Sequence, residues 1–358
     1  MKNLKDNFKN KKIIVTGHTG FKGSWLCLWL ISLGAKVIGI SKNVPTNPSN
    51  FLVSKIDKNM KTIFCDIKNL KSLKKIIINQ KPDYIFHLAA QSLVKKSFKD
   101  PILTWQSNLI GTVNVLESLK FLKKKCVSVF ITSDKSYKNL EIKRGYNEND
   151  TLGGEDPYSA SKGAAEFAIQ SYIKSFFNKK DNKIFLAVAR AGNVIGGGDW
   201  SEDRLVPDCI KSWSKNKMVT IRSPNSTRPW QHVLEAISGY LYLAMRLNKN
   251  IKLHGEAFNF GPSNLNNYKV IQLLTHFNKI WKNAKWKIVK DKRFKESKLL
   301  KLNCNKAKKI LNWKSSLSFK ETIFYTADWY KNYYAGNKKI ADVSFKQIRD
   351  FSKKYKKK

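Results

Sequence analysis

A tyrosine and a lysine four positions apart, Tyr158 and Lys162, could together carry out proton transfer. On a helix, residues at this spacing lie one turn apart on the same face. An ammonium group beside a phenol favours the phenolate, so we expect Lys162 to lower the pKa of Tyr158. A phenolate in this position can accept the proton of a substrate hydroxyl while hydride leaves the same carbon. The pair therefore predicts an oxidation step at a carbon that carries a hydroxyl group.

A second group of reactive side chains follows a strand-like segment at residues 127–132. Ser133, Asp134 and Lys135 place a hydroxyl, an acid and an amine side by side. In an open α/β sheet, the crevice beyond the carboxyl ends of the strands holds the ligand. The three side chains are therefore positioned for proton transfer to or from that ligand. The alternative is a polar turn in which Asp134 caps a helix.

Three glycines near the N-terminus, Gly17, Gly20 and Gly23, follow strand-like residues 12–16 and open an apolar helix. Glycines at this spacing permit a tight turn and let the backbone approach a pyrophosphate at the helix N-terminus. This context predicts a dinucleotide-binding site.

The second half of the dinucleotide pattern is incomplete. An acid that binds the ribose is expected about 20 residues further on, but residues 41–43 are Ser-Lys-Asn. Asp66, after the next strand-like segment, could instead hold the adenine amine. A lysine near the ribose could accept a 2′-phosphate, so the residues leave both NAD and NADP open.

The elements that must position these residues alternate along the first half of the chain. Strand-like segments fall at residues 12–16, 36–41, 62–65, 84–88, 127–132 and 183–189, with helix-like segments between them. Such alternation implies βαβ units and a buried parallel sheet. The sequence therefore predicts an α/β fold of the Rossmann type, a doubly wound parallel sheet. After about residue 190 the pattern becomes irregular, which predicts a smaller C-terminal α/β part for the substrate.

The composition of the 358 residues limits the class of protein. Apolar residues make up 42% of the chain, which excludes a wholly disordered protein. The net charge of +42 comes almost entirely from lysines spread along the chain. We interpret it as a solvated surface, because nucleic-acid readers rely on arginine forks and recognisable motifs. Four of the eight arginines fall between residues 190 and 228, which suggests an anion site, since Arg suits phosphate geometry.

Cysteine usage and hydropathy favour a cytoplasmic protein. The five cysteines are scattered, and no two have C-x-x-C spacing, so neither a disulfide framework nor a metal site is expected. The longest apolar run, near residues 25–33, is shorter than the roughly 18–20 residues that cross a bilayer. No secretory signal is expected before the first strand.

Several motifs together resemble the extended short-chain dehydrogenase/reductase superfamily. They are the glycine loop TGHTGFKG at residues 16–23, the HLAAQ run at 87–91 and the Tyr158–Lys162 pair. Within that superfamily, the Ser133-Asp134-Lys135 triplet is similar to that of the nucleotide-sugar 4,6-dehydratases. Lys135 stands where the common pattern has Glu, and it matches the branch that acts on CDP-glucose. Further segments, at residues 45–51, 189–200, 203–208 and 228–235, also resemble that branch, and the resemblance runs from about residue 8 to 335.

This resemblance implies a mechanism. Tyr158, helped by Ser133 and Lys162, would take the proton of the 4-hydroxyl while hydride passes to a retained NAD. Lys135, neutral for this step, would remove the carbon 5 proton, and Asp134 would protonate the departing 6-hydroxyl. The hydride would then return to carbon 6.

The resemblance also implies the ligand-binding residues and the assembly. The expected cofactor-binding residues are Gly17, Thr19, Gly20, Phe21, Lys22, Gly23, Asp66, Ile67, Leu88, Ala89, Ala90, Tyr158 and Lys162. The expected substrate-binding residues are Gln91, Asn193, Arg204, Arg222 and Arg228. Helices at 101–122 and 157–177 form the dimer bundle of this superfamily, so a homodimer is expected, and the family's usual role is in deoxysugars of bacterial surface polysaccharides such as O-antigen.

The expected domains are an NAD-binding Rossmann domain at residues 8–190, to which segments near 228–262 return, and a mainly nucleotide-sugar-binding domain at 191–335. Residues 336–358 are expected to be a basic tail. Three other functions stay open: a nucleotide-sugar epimerase or reductase, a nucleic-acid-binding protein on a degenerate Rossmann platform, and an NAD-sensing regulator. The Asp134–Lys135 pair argues against an epimerase, because epimerases of this superfamily usually lack an acid–base pair there.

Overall fold

The computed structural model describes residues 2–262, 268–282, 284–289 and 300–356. In these ranges the strands are β1 (Lys12–Thr16), β2 (Lys36–Ser41), β3 (Lys61–Phe64), β4 (Tyr84–His87), β5 (Cys126–Ile131), β6 (Ile184–Ala191), β7 (Val194–Ile195), β8 (Val219–Ile221), β9 (Thr227–Arg228), β10 (Gln231–His232), β11 (Ala257–Phe260), β12 (Tyr268–Lys269) and β13 (Trp286–Ile288). The helices are α1 (Lys2–Phe8), α2 (Phe21–Ser32), α3 (Asn50–Val53), α4 (Leu70–Gln80), α5 (Val94–Lys99), α6 (Pro101–Trp105), α7 (Gly111–Leu119), α8 (Pro157–Phe176), α9 (Leu205–Trp213), α10 (Val233–Lys249), α11 (Val270–Ile280), α12 (Asn305–Leu311), α13 (Phe319–Tyr334) and α14 (Ile340–Lys356). A π-helical turn, Gln106–Ile110, joins α6 to α7.

Seven strands form one sheet in the order β11-β6-β5-β4-β1-β2-β3, and every neighbouring pair is parallel. The order reverses between β1 and β4, where a ligand crevice opens beyond the carboxyl ends of the strands. Thr16 at the end of β1 is opposite His87 at the end of β4, so the two following loops leave the sheet at the same level. The prediction of a doubly wound Rossmann-type sheet is confirmed.

Both faces of the sheet are covered, which explains why its strands are rich in branched apolar residues. Ile13 and Val15 pack into a core with α2 and α10, whereas Ile14 and Ile85 pack into a second core with α4, α7 and α8. Successive side chains of a strand point to opposite faces, so alternate residues of β1 enter different cores. The helices that carry site residues, α2 and α8, are therefore fixed on opposite faces of the sheet.

Beyond β6 the chain builds a second part from short strand pairs. β7 pairs with β10 and β8 with β13 in parallel, and β9 pairs with β12 in antiparallel orientation. Between these pairs the chain returns to the main sheet, where α10 packs on β5 and β6, and β11 pairs with β6. The division into a cofactor domain and a substrate domain remains a prediction.

Residues 336–356 differ from the basic tail that the sequence predicts. Most of this segment is α14, which packs against α2 and α13 with Ile340, Ile348 and Phe351 buried. Phe351 meets Trp29 edge-on at 5.6 Å between ring centroids. In the sequence, the lysines on the exposed face of α14 make its apolar residues, which recur with helical period, hard to recognise. Burial of these apolar residues holds the segment in place. Residues 357–358 lie outside the described residues.

Within the described ranges, no helix combines the length and apolar character needed to cross a membrane. The same part of the chain contains no cluster of three or more His, Cys, Asp or Glu side chains that could hold a metal ion.

Three buried histidines make the folded state sensitive to acid. Burial lowers the pKa of His18 to about 4, and that of His87 and His232 to about 3. The unfolded chain binds protons at these side chains below about pH 6.5, whereas the folded chain does not. The stability that these three side chains contribute is therefore full above pH 6.5 and is lost as the pH falls, at up to about 4 kcal/mol per pH unit for three protons.

We expect urea midpoints measured between pH 7.5 and 5.0 to fall steeply below pH 6.5. His87→Gln should reduce the slope by about a quarter to a third, because burial also lowers the pKa of His254 and one of three to four protons is removed. His276→Gln, at a partly exposed position on α11, serves as the control and should leave the slope unchanged. A flat dependence between pH 6.5 and 5.0 would contradict the prediction.

Candidate active site

The glycine loop forms a close-packed turn between β1 and α2. Gly17 has a φ of +76°, and a Cβ atom there would lie 2.8 Å from the nitrogen of Ala89, two residues after β4. A Cβ atom on Gly23 would lie 2.1 Å from the Gly17 carbonyl oxygen. Gly20 is the N-cap of α2 and supplies no side-chain cap. The first amide groups of α2 therefore face the crevice without a side-chain acceptor, which is a cradle for an anion.

We expect Gly23→Ala to weaken binding of NAD by about 10- to 100-fold, because overpacking against a backbone carbonyl costs about 1–3 kcal/mol. Titration calorimetry with NAD measures this effect. Gly261→Ala is the matched control, since its nearest neighbour, Cys304 Sγ, would be 3.5 Å from the new Cβ atom. Equal affinities of the two variants would contradict the role of the turn.

The ends of β2 and β3 form the region where an adenosine would lie. Ser41 Oγ pairs with His18 Nδ1 at 2.8 Å, and Thr19 Oγ1 donates to the Asn43 carbonyl at 2.7 Å. Lys42 Nζ lies 3.8 Å from an Asp66 carboxylate oxygen. Asp66 therefore places a carboxylate beside Lys42, and its predicted contact with the adenine amine remains a prediction.

Ile67, the other residue predicted here, is buried with its side chain beneath Gly111 of α7. Its carbonyl accepts a hydrogen bond from Asn114 Nδ2 at 2.9 Å. These contacts fix the position of the loop after β3.

The HLAAQ segment continues β4 into the crevice. His87 Nδ1 pairs with Thr16 Oγ1 at 2.8 Å, and the Ala89 amide donates to the same hydroxyl at 3.2 Å. Leu88, Ala89 and Ala90 therefore run beside the glycine loop. Gln91 is predicted to face the substrate. Its side-chain Oε1 accepts a hydrogen bond from the Leu93 backbone N–H, and its Nε2 donates to the Leu93 carbonyl and to Thr104 Oγ1.

Asn108, which the sequence analysis missed, ties this loop to α8. Its Oδ1 accepts a hydrogen bond from the backbone N–H of Gln91 at 2.8 Å, and its Nδ2 donates to Ser161 Oγ at 2.9 Å. Nothing in its local sequence distinguishes it from other helix residues, since its partners are 17 and 53 residues away.

The Ser133-Asp134-Lys135 triplet lies beyond β5, as predicted. Ser133 Oγ donates to Asp134 Oδ1 at 2.9 Å and accepts from the Lys135 amide at 3.2 Å. Lys135 Nζ is 3.8 Å from Asp134 Oδ1; the Lys135 side chain is 33% exposed and that of Asp134 only 3%. A Cβ atom on Gly192, after β6, would lie 2.9 Å from Asp134 Oδ2. The acid is thus buried against the sheet edge, and the amine beside it reaches the crevice.

Tyr158 and Lys162 lie on the buried face of α8, which Asp156 caps by accepting from the Ser159 amide at 3.0 Å. Burial raises the pKa of Tyr158, the nearby Ser133 hydroxyl lowers it, and Asp134 raises it. Burial lowers the pKa of Lys162 to about 8. The expected lowering of the Tyr158 pKa is therefore wrong for the protein alone, because the cost of burying a phenolate outweighs the lowering by the Ser133 hydroxyl and the Arg204 charge.

Lys22, on the first turn of α2, reaches the same site. Its pKa is lowered to about 8, first by burial and then by the positive charge of Arg204, and Asp134 opposes both effects. The positive charges of Lys162 and Lys135 also lower the pKa of Lys22. Several cations thus surround one carboxylate, which suits a site for an anionic ligand.

Of the predicted substrate-binding residues, Arg204 has a charge that acts on both Lys22 and Tyr158. Its Nη1 donates to Asp199 at 3.0 Å and its Nη2 to Ser92 Oγ at 3.3 Å. Arg222 follows β8 and is exposed, Arg228 lies on β9, and the Asn193 carbonyl accepts from the Gln231 amide between β7 and β10. The roles of these three side chains in substrate binding remain predictions. Arg190 is buried in an ion pair with Glu166 and does not form part of an anion site.

Comparisons with known proteins agree with this geometry. The sequence profile of the family described as GDP-mannose 4,6 dehydratase matches residues 14–326. A CDP-glucose 4,6-dehydratase of Salmonella typhimurium is 41% identical over 351 residues, which cover 97% of this chain and 98% of that protein. A dTDP-D-glucose 4,6-dehydratase of Dictyostelium discoideum is 28% identical, over 92% of this chain and 84% of that protein. The solved structure of the epimerase Mth375 from Methanothermobacter thermautotrophicus has a TM-score of 0.79 and 23% identity, covering 93% of this chain and 96% of that one.

The fold and the tyrosine–lysine pair define an extended short-chain dehydrogenase/reductase, which confirms the predicted resemblance. Within that superfamily, the chain belongs to the GDP-mannose 4,6-dehydratase family.

Proposed function

We propose that the protein is a CDP-glucose 4,6-dehydratase, a hydro-lyase that converts CDP-D-glucose to CDP-4-dehydro-6-deoxy-D-glucose and water. The observation that carries the proposal is the Asp134–Lys135 pair beyond β5, in the electrostatic neighbourhood of Tyr158. Elimination of water needs an acid and a base in addition to the groups that oxidise carbon 4. The relative from Salmonella typhimurium with this name supports the choice of sugar nucleotide.

NAD is the proposed cofactor, retained between turnovers because the overall reaction is redox-neutral. When bound, it supplies the acceptor for the hydrogen of carbon 4 and the donor for carbon 6. The cradle at Gly17 and Gly23, which any Cβ atom would fill, and the uncapped start of α2 fit its pyrophosphate. The residues proposed to hold it are Gly17, Thr19, Gly20, Phe21, Lys22, Gly23, Asp66, Ile67, Leu88, Ala89, Ala90, Tyr158 and Lys162.

The chain's own residues divide the proton transfers. Tyr158, assisted by Ser133 and Lys162, would accept the proton of the 4-hydroxyl. The carbon 4 ketone makes the carbon 5 hydrogen acidic, and Lys135 in its neutral form would remove it. Asp134 would protonate the 6-hydroxyl, which departs as water. A buried acid bonded by Ser133, beside a partly exposed amine, places the two groups in different environments, as separate acid and base roles require.

The anionic part of the substrate would lie against the arginines beyond the sheet. Arg204 is proposed to bind the diphosphate, because it already shares the site of Lys22 and Asp134. Arg222, Arg228, Asn193 and Gln91 are proposed as further substrate contacts.

We also propose a cytoplasmic homodimer that serves synthesis of surface-polysaccharide deoxysugars. Support for the dimer comes from an exposed apolar face on α5, α6 and α8, where Phe98, Ile102 and Phe167 are 67%, 69% and 61% exposed. Such a face is typical of a surface that another chain covers. Five free cysteines suit a reducing compartment.

Incubation of the purified protein with CDP-glucose, with and without added NAD, tests the proposal by mass spectrometry. We expect a product lighter by one water from CDP-glucose, and none from dTDP-glucose or GDP-mannose. A product of unchanged mass and altered configuration would instead identify an epimerase and overturn the proposal.

A further inference from the structure

A buried ion pair lies directly beneath the catalytic groups. Glu166 is on α8, one helical turn beyond Lys162 and two beyond Tyr158. Its carboxylate accepts hydrogen bonds from Arg190 Nε at 3.0 and 2.9 Å and from Arg190 Nη2 at 2.5 Å. The two side chains are only 3% and 4% exposed. Because buried ion pairs seldom add to stability, this one needs another explanation.

The pair holds both ends of the catalytic segment, residues 133–136. At the first end, Thr132 Oγ1 donates to Glu166 Oε1 at 2.7 Å. At the other end, Arg190 Nη1 donates to the Tyr137 hydroxyl at 2.6 Å, and the guanidinium carbon lies 4.7 Å from the centre of the Tyr137 ring. Thr132 and Tyr137 are the residues immediately before and after the segment, so one ion pair fixes both.

Tyr137, the anchor at the second end of the segment, is also held by neighbouring elements. The Tyr137 hydroxyl donates to Asn259 Oδ1 on β11 at 2.9 Å, and the Asn259 amide donates to Glu148 Oε1 at 2.8 Å. Arg190 lies on β6, between these elements and α8. A buried polar network with its partners in place restricts the local backbone to one arrangement.

We infer that Glu166 and Arg190 are positioning residues, which set the catalytic segment 133–136 against Tyr158 and Lys162. This inference rests on the proposed function, because it assigns the segment its catalytic role. The carboxylate of Glu166 also acts on Lys162 through space, where it raises a pKa that burial lowers. Lys22 on α2 and His87 on β4 face Lys162 from other elements, and the variants below leave both unchanged.

Glu166→Gln keeps the shape of the side chain and removes its charge. We expect kcat to fall about 10- to 100-fold, as a displacement near 1 Å of a catalytic group would cause, with KM nearly unchanged. The basic limb of the pH–rate profile should move to lower pH, because Lys162 loses the anion that keeps it protonated. Hydrogen–deuterium exchange measured by mass spectrometry should become faster in residues 132–137.

Glu117→Gln is the matched control. Glu117 on α7 also accepts hydrogen bonds, from Tyr172 at 2.5 Å and Lys120 at 3.1 Å, and both donors lie outside the catalytic segment. This variant should leave kcat, the pH profile and exchange at residues 132–137 as in the wild type.

Tyr137→Phe separates the positioning of residues 133–136 from the effect of the Glu166 charge on Lys162. It also tests the inference if Glu166→Gln does not fold. It removes one anchor but keeps the charge beside Lys162, so kcat should fall and exchange should quicken while the pH limb stays in place. Wild-type kcat and wild-type exchange at residues 132–137 in the folded variants would overturn the inference. Exchange is read without substrate, so absence of dehydration by the wild type would overturn the proposed function alone.

Discussion

Tyr158→Phe is expected to lower kcat for dehydration of CDP-glucose by about 10³-fold, within the range found for loss of an acid–base catalyst. The hydroxyl that accepts the proton of the substrate is removed, while the ring still fills its buried position on α8. KM should change little, because proton transfer belongs to the transition state and not to binding. Steady-state rates of product formation measure both values.

Tyr172→Phe controls for loss of a tyrosine hydroxyl from the same helix. The Tyr172 hydroxyl donates to Glu117 at 2.5 Å, on the side of α8 that meets α7. Its kcat should stay near that of the wild type. A Tyr158→Phe variant with a kcat within tenfold of the wild type would remove Tyr158 from the mechanism.

Lys135→Met is expected to abolish loss of water, by at least about 10³-fold, while NAD binding stays unchanged. Methionine matches the length of the lysine stem, but it cannot accept the proton of carbon 5. In deuterium oxide, wild-type enzyme should yield product with solvent deuterium at carbon 5. The variant should return CDP-glucose without deuterium at that carbon.

Lys138→Met, three residues further along and exposed, is the matched control and should turn over like the wild type. Titration calorimetry with NAD shows whether the Lys135 variant keeps its cofactor site. Solvent deuterium at carbon 5 in the Lys135→Met reaction would assign the base to another group.

The positions of the reactive residues along the sheet are predictable from sequence because they follow local patterns. Alternating strands and helices fix a parallel sheet, and in such a sheet the segments after β1, β4 and β5 meet at one edge. The charge of Lys22, in the glycine turn, acts together with those of Asp134 and Lys135, and Asp134 in turn acts on Tyr158.

Interactions between distant segments are harder to predict. Lys22 belongs to the phosphate loop by sequence, yet its charge interacts with Arg204 and Asp134, which lie more than 100 residues away. The raised pKa of Tyr158 depends on the depth of burial, which a four-residue spacing does not specify. The Glu166–Arg190 pair joins a helix to a strand 24 residues further along, and neither residue has a local signature.

The C-terminal helix shows a different difficulty. Ile340, Ile348 and Phe351 recur at helical spacing, but the surrounding lysines dominate the local composition. The apolar spacing over residues 340–351, where acidic and basic residues balance, favours a helix, whereas the lysines before and after this range favour a tail. Burial of the apolar stripe against α2 decides the outcome.

In the proposed reaction, hydrogen moves from carbon 4 to carbon 6 of one sugar as water is lost. CDP-glucose labelled with deuterium at carbon 4 tests it in a single incubation with the purified protein and NAD, followed by mass spectrometry and NMR of the product. We predict a product lighter than the labelled substrate by one H₂O, with the deuterium retained in the new methyl group at carbon 6. Loss of the deuterium to solvent, or its retention at carbon 4, would contradict the proposed reaction.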